Sequence, residues 1–189
     1  MVENVYNEML KNYPDTLEKT SEDSNKPVDD KYMTSCKRIV VNVDRLKDDF
    51  VKNMSLTEIP KSCDALYMTS QNEFFMIEFK NGIIDVKKKY EIKVKTFESL
   101  LMISEKFSQT TDFMRNNISF ILVYNENVAH GQEQYDDIGV RRVSGPVFRR
   151  ALVREIRFGL HCFKKLYFKD VFTYSKAEFE AEFVSKYCV

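Results

Sequence analysis

Two apolar runs separated by three turn-forming residues constrain this chain more than any other feature. Cys63 to Thr69 and Glu73 to Phe79 are rich in Tyr, Phe, Ile and Met and flank Ser70-Gln71-Asn72, the pattern of two strands joined by a short hairpin loop. With a three-residue loop, Thr69 faces Glu73 and Asp64 faces Glu78. Directly opposed residues share a sheet face, with Cβ atoms about 4.5–5.5 Å apart. A two- or four-residue loop would shift the pairing by one and send Asp64 to the face opposite Glu78.

Opposed like charges destabilise a sheet unless something lies between them. A divalent cation is the natural occupant, because hard carboxylate oxygens bind Mg2+ or Mn2+ at about 2.0–2.2 Å. Lys80, two residues beyond Glu78, points to the same face. Two carboxylates and an ammonium are therefore expected at one end of the hairpin. The bland alternative is a solvated sheet face carrying a Glu-Lys pair. Acid-x-Lys triplets also occur at Asp29-Asp30-Lys31, Asp85-Val86-Lys87 and Glu91-Ile92-Lys93, so the bare triplet identifies nothing. Glu78-Phe79-Lys80 stands apart because it ends an apolar strand, follows a strand that holds an acid, and precedes a long helix. Charge at such a position is costly unless paired or metal-bound.

Around the hairpin, the pattern predicts a strand from Arg38 to Val43, then a short helix capped by Asp44 and running through Lys52. After Lys87-Lys88-Lys89, the residues Tyr90, Val94, Phe97, Leu100, Leu101 and Phe107 recur at mostly three- and four-residue spacing, as in an amphipathic helix. Ile118 to Tyr124 reads as a strand buried on both faces, and Asn125 to Gly145 as loop. A helix is expected beyond Pro146 through about Cys162, then a strand from Leu166 to Thr173. Ser175-Lys176-Ala177-Glu178 fits a capping box that opens a last helix with Phe179 and Phe183 on one face. The order predicts an α/β (α+β) domain with a central mixed sheet flanked by helices.

The chain has 189 residues, which suits one domain that buries roughly 70% of the surface its unfolded form exposes. Residues 1–35 are expected to form an appendage, with Val5, Met9 and Leu10 on a helix and a linker from Pro14 to Lys31. Residues 36–189 form the domain. Fifteen Phe and ten Tyr exclude a disordered chain. No stretch approaches the ~20 apolar residues of a membrane-spanning helix. The first twenty residues lack the apolar core of a signal peptide, so a cytoplasmic location is expected. Cys36, Cys63, Cys162 and Cys188 are far apart and read as reduced thiols, and His130 and His161 are isolated. Formal net charge is zero, but unevenly spread: −4 over residues 1–35 and +4 over 146–189.

Asp64, thirteen intervening residues, Glu78-Phe79-Lys80, then an amphipathic helix and an apolar strand resemble the core of the PD-(D/E)xK nuclease superfamily, the restriction-endonuclease-like fold. The resemblance covers roughly Ile39 to Tyr124. It implies a restriction-endonuclease-like core with the two acids and the lysine on adjacent strands, and metal-dependent hydrolysis of nucleic-acid phosphodiesters. It implies that Asp64 and Glu78 hold Mg2+ or Mn2+, that the carbonyl of Phe79 adds a ligand, and that Lys80 orients or helps deprotonate the attacking water. The family's Pro before the first Asp is Cys63 here, with Pro60 four residues ahead of Asp64. Many members add an acid from an upstream helix, for which Asp48, Asp49 and Glu58 are the candidates. Lys88 and Lys95, seven apart with Ser99 a turn further on, and the stripe Arg149, Arg150, Arg154 and Arg157 are candidate phosphate contacts.

Three readings remain at this level. One is a metal-dependent nuclease. Another is a catalytically inactive member of the same fold that binds nucleic acid, a protein partner or a second copy of itself. The third is a small immunity or regulatory protein of unrelated α/β fold, with Asp64 and Glu78 on opposite sheet faces.

Overall fold

The computed structural model describes residues 2–128 and 156–188. Six strands form one mixed sheet in chain order: β1 (Pro14–Thr16), β2 (Ile39–Asn42), β3 (Ala65–Met68), β4 (Phe74–Lys80), β5 (Ile118–Tyr124) and β6 (Val171–Ser175). β1 to β4 run antiparallel to their neighbours, whereas β4, β5 and β6 are parallel. The protein is thus an α/β fold with helices against a mixed sheet.

The hairpin has the expected register, with Ala65 opposite Ile77 and Met68 opposite Phe74. Its loop is stabilised locally. The Thr69 hydroxyl accepts the amides of Gln71 and Glu73, both at 3.2 Å. Asn72 takes the left-handed conformation (φ 59°) that Asn tolerates better than most residues.

Parallel pairing of β4 with β5 requires a long crossover, supplied by α4 (Val86–Phe107) and α5 (Thr111–Asn117). Asp85 caps α4 by accepting the Lys88 amide at 2.7 Å, and Ser108 ends it in the left-handed conformation. Period-two alternation sorts the strands onto two cores. Leu66, Phe74, Met76, Phe120 and Leu122 pack with α1 (Val2–Asn12), α3 (Val43–Met54), α4 and α5. Tyr67, Phe75, Ile77, Ile121 and Val123 pack with Leu17, Met33, Phe179 and Phe183.

Several expectations are corrected. The stretch from Pro14 to Lys31 is built into the domain and is not a linker. β1 pairs along β2, Leu17 of α2 (Leu17–Thr20) is fully buried, and Tyr6 and Met9 of α1 enter the core. The cap of α3 is Asn42, which accepts the Arg45 amide at 3.1 Å; Asp44 is one residue inside the helix. The chain around His161 is a short 3-10 turn (Leu160–Phe163), entered through Gly159 at φ 67°. Leu166 lies in a turn, so β6 begins only at Val171. The capping box at Ser175 forms in full, and the helix it starts passes from Lys176–Glu178 into a π-helical stretch, Phe179–Val184, before Ser185–Tyr187. Phe179 and Phe183 stack there at 5.0 Å. The remainder of the expected loop and of the Arg-bearing helix lies outside the described residues. All four cysteines are free. Among the described residues, no helix is long and apolar enough to cross a membrane.

Candidate functional site

The segment leading into β3 is pinned to α4. Cys63 donates its amide to the buried hydroxyl of Ser99 at 2.7 Å, and Lys61 donates its amide to Glu98 at 2.6 Å. Asp64 continues the pairing beyond the end of β3, its amide reaching the Ile77 carbonyl at 3.1 Å. Its carboxylate accepts the Phe79 amide at 2.6 Å. Glu78 lies within β4, flanked by β3 and β5, and is fully buried. Asp64 and Glu78 therefore share the α4 side of the sheet, as the hairpin register requires.

Two lysines complete the cluster. Lys80 contacts Glu78 Oε1 at 2.5 Å. Lys95, from α4, donates to both Glu78 oxygens at 2.8 and 3.0 Å and lies 3.6 Å from Asp64 Oδ1. Lys95 reaches the sheet because Ile92, Thr96 and Ser99, its neighbours on the same helical stripe, are all fully buried. Burial and the adjacent Glu78 charge push the Asp64 carboxyl up to about 7, against the partial offset of Lys95, Lys80 and the Phe79 amide. Burial works against the Lys95 charge, but Glu78 and Asp64 outweigh it and hold the ammonium above its ordinary range. Burial and Glu78 likewise push the Cys63 thiol up.

Asp64 and Lys80 reach solvent at the carboxyl end of β4, the usual side for a ligand crevice in a parallel sheet. A cleft of about 400 Å3 is lined there by Asp64, Phe79, Lys80 and Lys88, with Glu22 and Asp23 on the facing wall. Buried amides latch that wall in place: Asn125 donates to Asn81 at 2.7 Å, and Asn81 donates to the Asp30 carbonyl at 2.6 Å. Lys31 and Lys19 hold Glu22 at 2.7 and 3.1 Å.

The structure thus brings Asp64, Glu78 and Lys80 together, with Phe79 beside them. Lys88 lines the cleft and is paired with Glu91 at 2.6 Å. Lys95 faces the hairpin as expected, but its partner is Glu78. Arg149, Arg150 and Arg154 lie outside the described residues, and Arg157 packs its guanidinium on the ring of Tyr124. Of the upstream acids, Asp48 and Asp49 face Lys47 and Lys52, and Glu58 is exposed. Asp44, expected from the sequence as a helix cap, instead accepts the Ser62 hydroxyl at 2.5 Å and pairs with Lys47 at 2.9 Å. Burial opposes its charge, but Ser62 and Lys47 hold it below the usual carboxylate range, helped by Lys95.

Among the described residues, no three acids, histidines or cysteines are grouped to hold a metal. Two carboxylates nevertheless fit Mg2+ or Mn2+, since Mg2+ is commonly held by one or two protein carboxylates plus water and substrate phosphate. Comparison with known proteins returns no match: no family model, no curated protein and no solved structure is similar to this chain.

Proposed function

We propose that the protein is a metal-dependent nuclease of the PD-(D/E)xK type, hydrolysing phosphodiester bonds of nucleic acid in the cytoplasm. The observation that supports this reading is that Asp64 and Lys80 line one cleft, with Glu78 fully buried behind it in β4 and paired to Lys80. Asp64 and Glu78 would hold Mg2+ or Mn2+, with the Phe79 carbonyl as a further ligand. Such an ion, when bound, polarises the phosphoryl oxygen and lowers the pKa of bound water. Lys80, one-fifth exposed and lining the cleft, would orient the attacking water against the scissile phosphate. Lys88, at the cleft wall, supplies a phosphate contact.

The test is incubation of the purified protein with single- and double-stranded DNA and RNA in Mn2+ or Mg2+. Cleavage of at least one substrate is expected, falling by 100-fold or more in Glu78→Gln and Lys80→Ala. Cleavage insensitive to both substitutions would overturn the reading.

A second reading, an inactive relative that only binds, is favoured by one observation: both Glu78 oxygens already accept from lysines. It predicts nucleic-acid or protein binding without turnover in either metal.

A further inference from the structure

The cluster balances its own charge. With both carboxyls ionised, Asp64 and Glu78 bring two negative charges and Lys80 and Lys95 two positive ones, Lys80 pairing with Glu78 and Lys95 with both acids. The Lys95 ammonium spans both Glu78 oxygens and approaches Asp64, so it sits between the two groups that a cation would bridge. Lys80 contacts Glu78 Oε1 and lines the cleft.

From this we infer that Lys95 is a resident cation that a divalent ion must displace from Glu78 and Asp64. This inference rests on the metal-binding reading of those two acids. The physical argument is direct. An ammonium and a divalent ion cannot share the same carboxylate oxygens at contact distance without strong like-charge repulsion in a poorly solvated site. The anchor of Lys95 permits the exchange, because its head is carried on a flexible four-carbon stem and remains about one-fifth exposed. In the ion-free protein Lys95 keeps the buried Glu78 compensated, as a buried charge requires. With the ion bound, the released ammonium is one turn of α4 from Ser99 and two from Lys88, and becomes a positioning group for substrate phosphate.

The experiment is Mn2+ binding, followed by calorimetry and by loss of the free-ion paramagnetic resonance signal at pH 7.5, in the wild type, Lys95→Met, Glu78→Gln and the double variant. Lys95→Met keeps most of the stem and removes the charge. It is expected to bind Mn2+ at least tenfold more tightly than the wild type, with the gain lost in the double variant. Unchanged or weaker binding by Lys95→Met, with binding still abolished by Glu78→Gln, would overturn the inference and leave the metal site standing. Absence of binding in both wild type and Lys95→Met would overturn both. Should Lys95→Met fail to fold, Mg2+ titration of the wild type with the Lys95 side-chain nitrogen followed by NMR decides the matter. The slowly exchanging ammonium signal expected from its contacts with Glu78 should disappear as Mg2+ saturates the site, and its persistence at saturation would contradict the exchange.

Discussion

Asp64 is the residue on which charge, burial and register meet. Its carboxyl, pushed up to about 7 by burial and Glu78, loses its proton near pH 3.9 in the unfolded chain. Between those values the folded protein binds more protons than the unfolded one, so this group's contribution to stability falls as pH rises from about 4 to 7. Asp64→Asn removes that loss while keeping an oxygen for the Phe79 amide. In EDTA, urea denaturation should show the variant gaining roughly 1–4 kcal/mol on the wild type between pH 4 and pH 8. An offset independent of pH would contradict this environment for Asp64. The opposition of Asp64 and Glu78 was legible in the sequence, because a period of two and a three-residue loop leave one register. The grip of Lys95 on Glu78 was only half legible. Its spacing from Ser99 shows a shared face, but which group a lysine meets depends on how α4 sits on the sheet.

Elements whose signals are local read more clearly than those that depend on tertiary pairing. β5 runs over the expected residues because seven consecutive residues are buried between β4 and β6. The capping box at Ser175 is likewise a four-residue signal, and both of its reciprocal hydrogen bonds form, at 2.7 and 3.2 Å. Ser175→Ala should destabilise the protein by about 1 kcal/mol, with thermal unfolding as the measure; no change in midpoint would show that the helix start is held by packing alone. β1 was missed because its three residues, Pro14 to Thr16, become a strand only through pairing with β2. Its polar, proline-led sequence resembles loop, as edge strands often do. The π-helical stretch has no sequence signal of its own, and the stacked Phe179 and Phe183 within it are read as an ordinary helical face.

At the scale of the whole molecule, the acidic N-terminal segment is the feature the structure revises most. Its −4 charge belongs to residues that supply a sheet edge, core side chains and the facing wall of the candidate cleft. A chain beginning at Cys36 should lose cooperative thermal unfolding, because β2 loses its neighbour and Leu17 and Met33 leave the core; an unchanged transition would restore the separable appendage. Glu22 and Asp23 line the same cleft as Lys80 and Lys88, so any phosphate entering it meets both signs of charge. Nucleic-acid binding should accordingly depend on a bound cation at Asp64 and Glu78 more than on the field of the protein, whose net charge is zero. The most direct measurement of that dependence is anomalous X-ray scattering from crystals grown in Mn2+. The account predicts a peak about 2.0–2.5 Å from carboxylate oxygens of both Asp64 and Glu78, with Lys95 withdrawn from Glu78. A Mn2+-saturated crystal with no peak there, and with Lys95 still on both Glu78 oxygens, would contradict it.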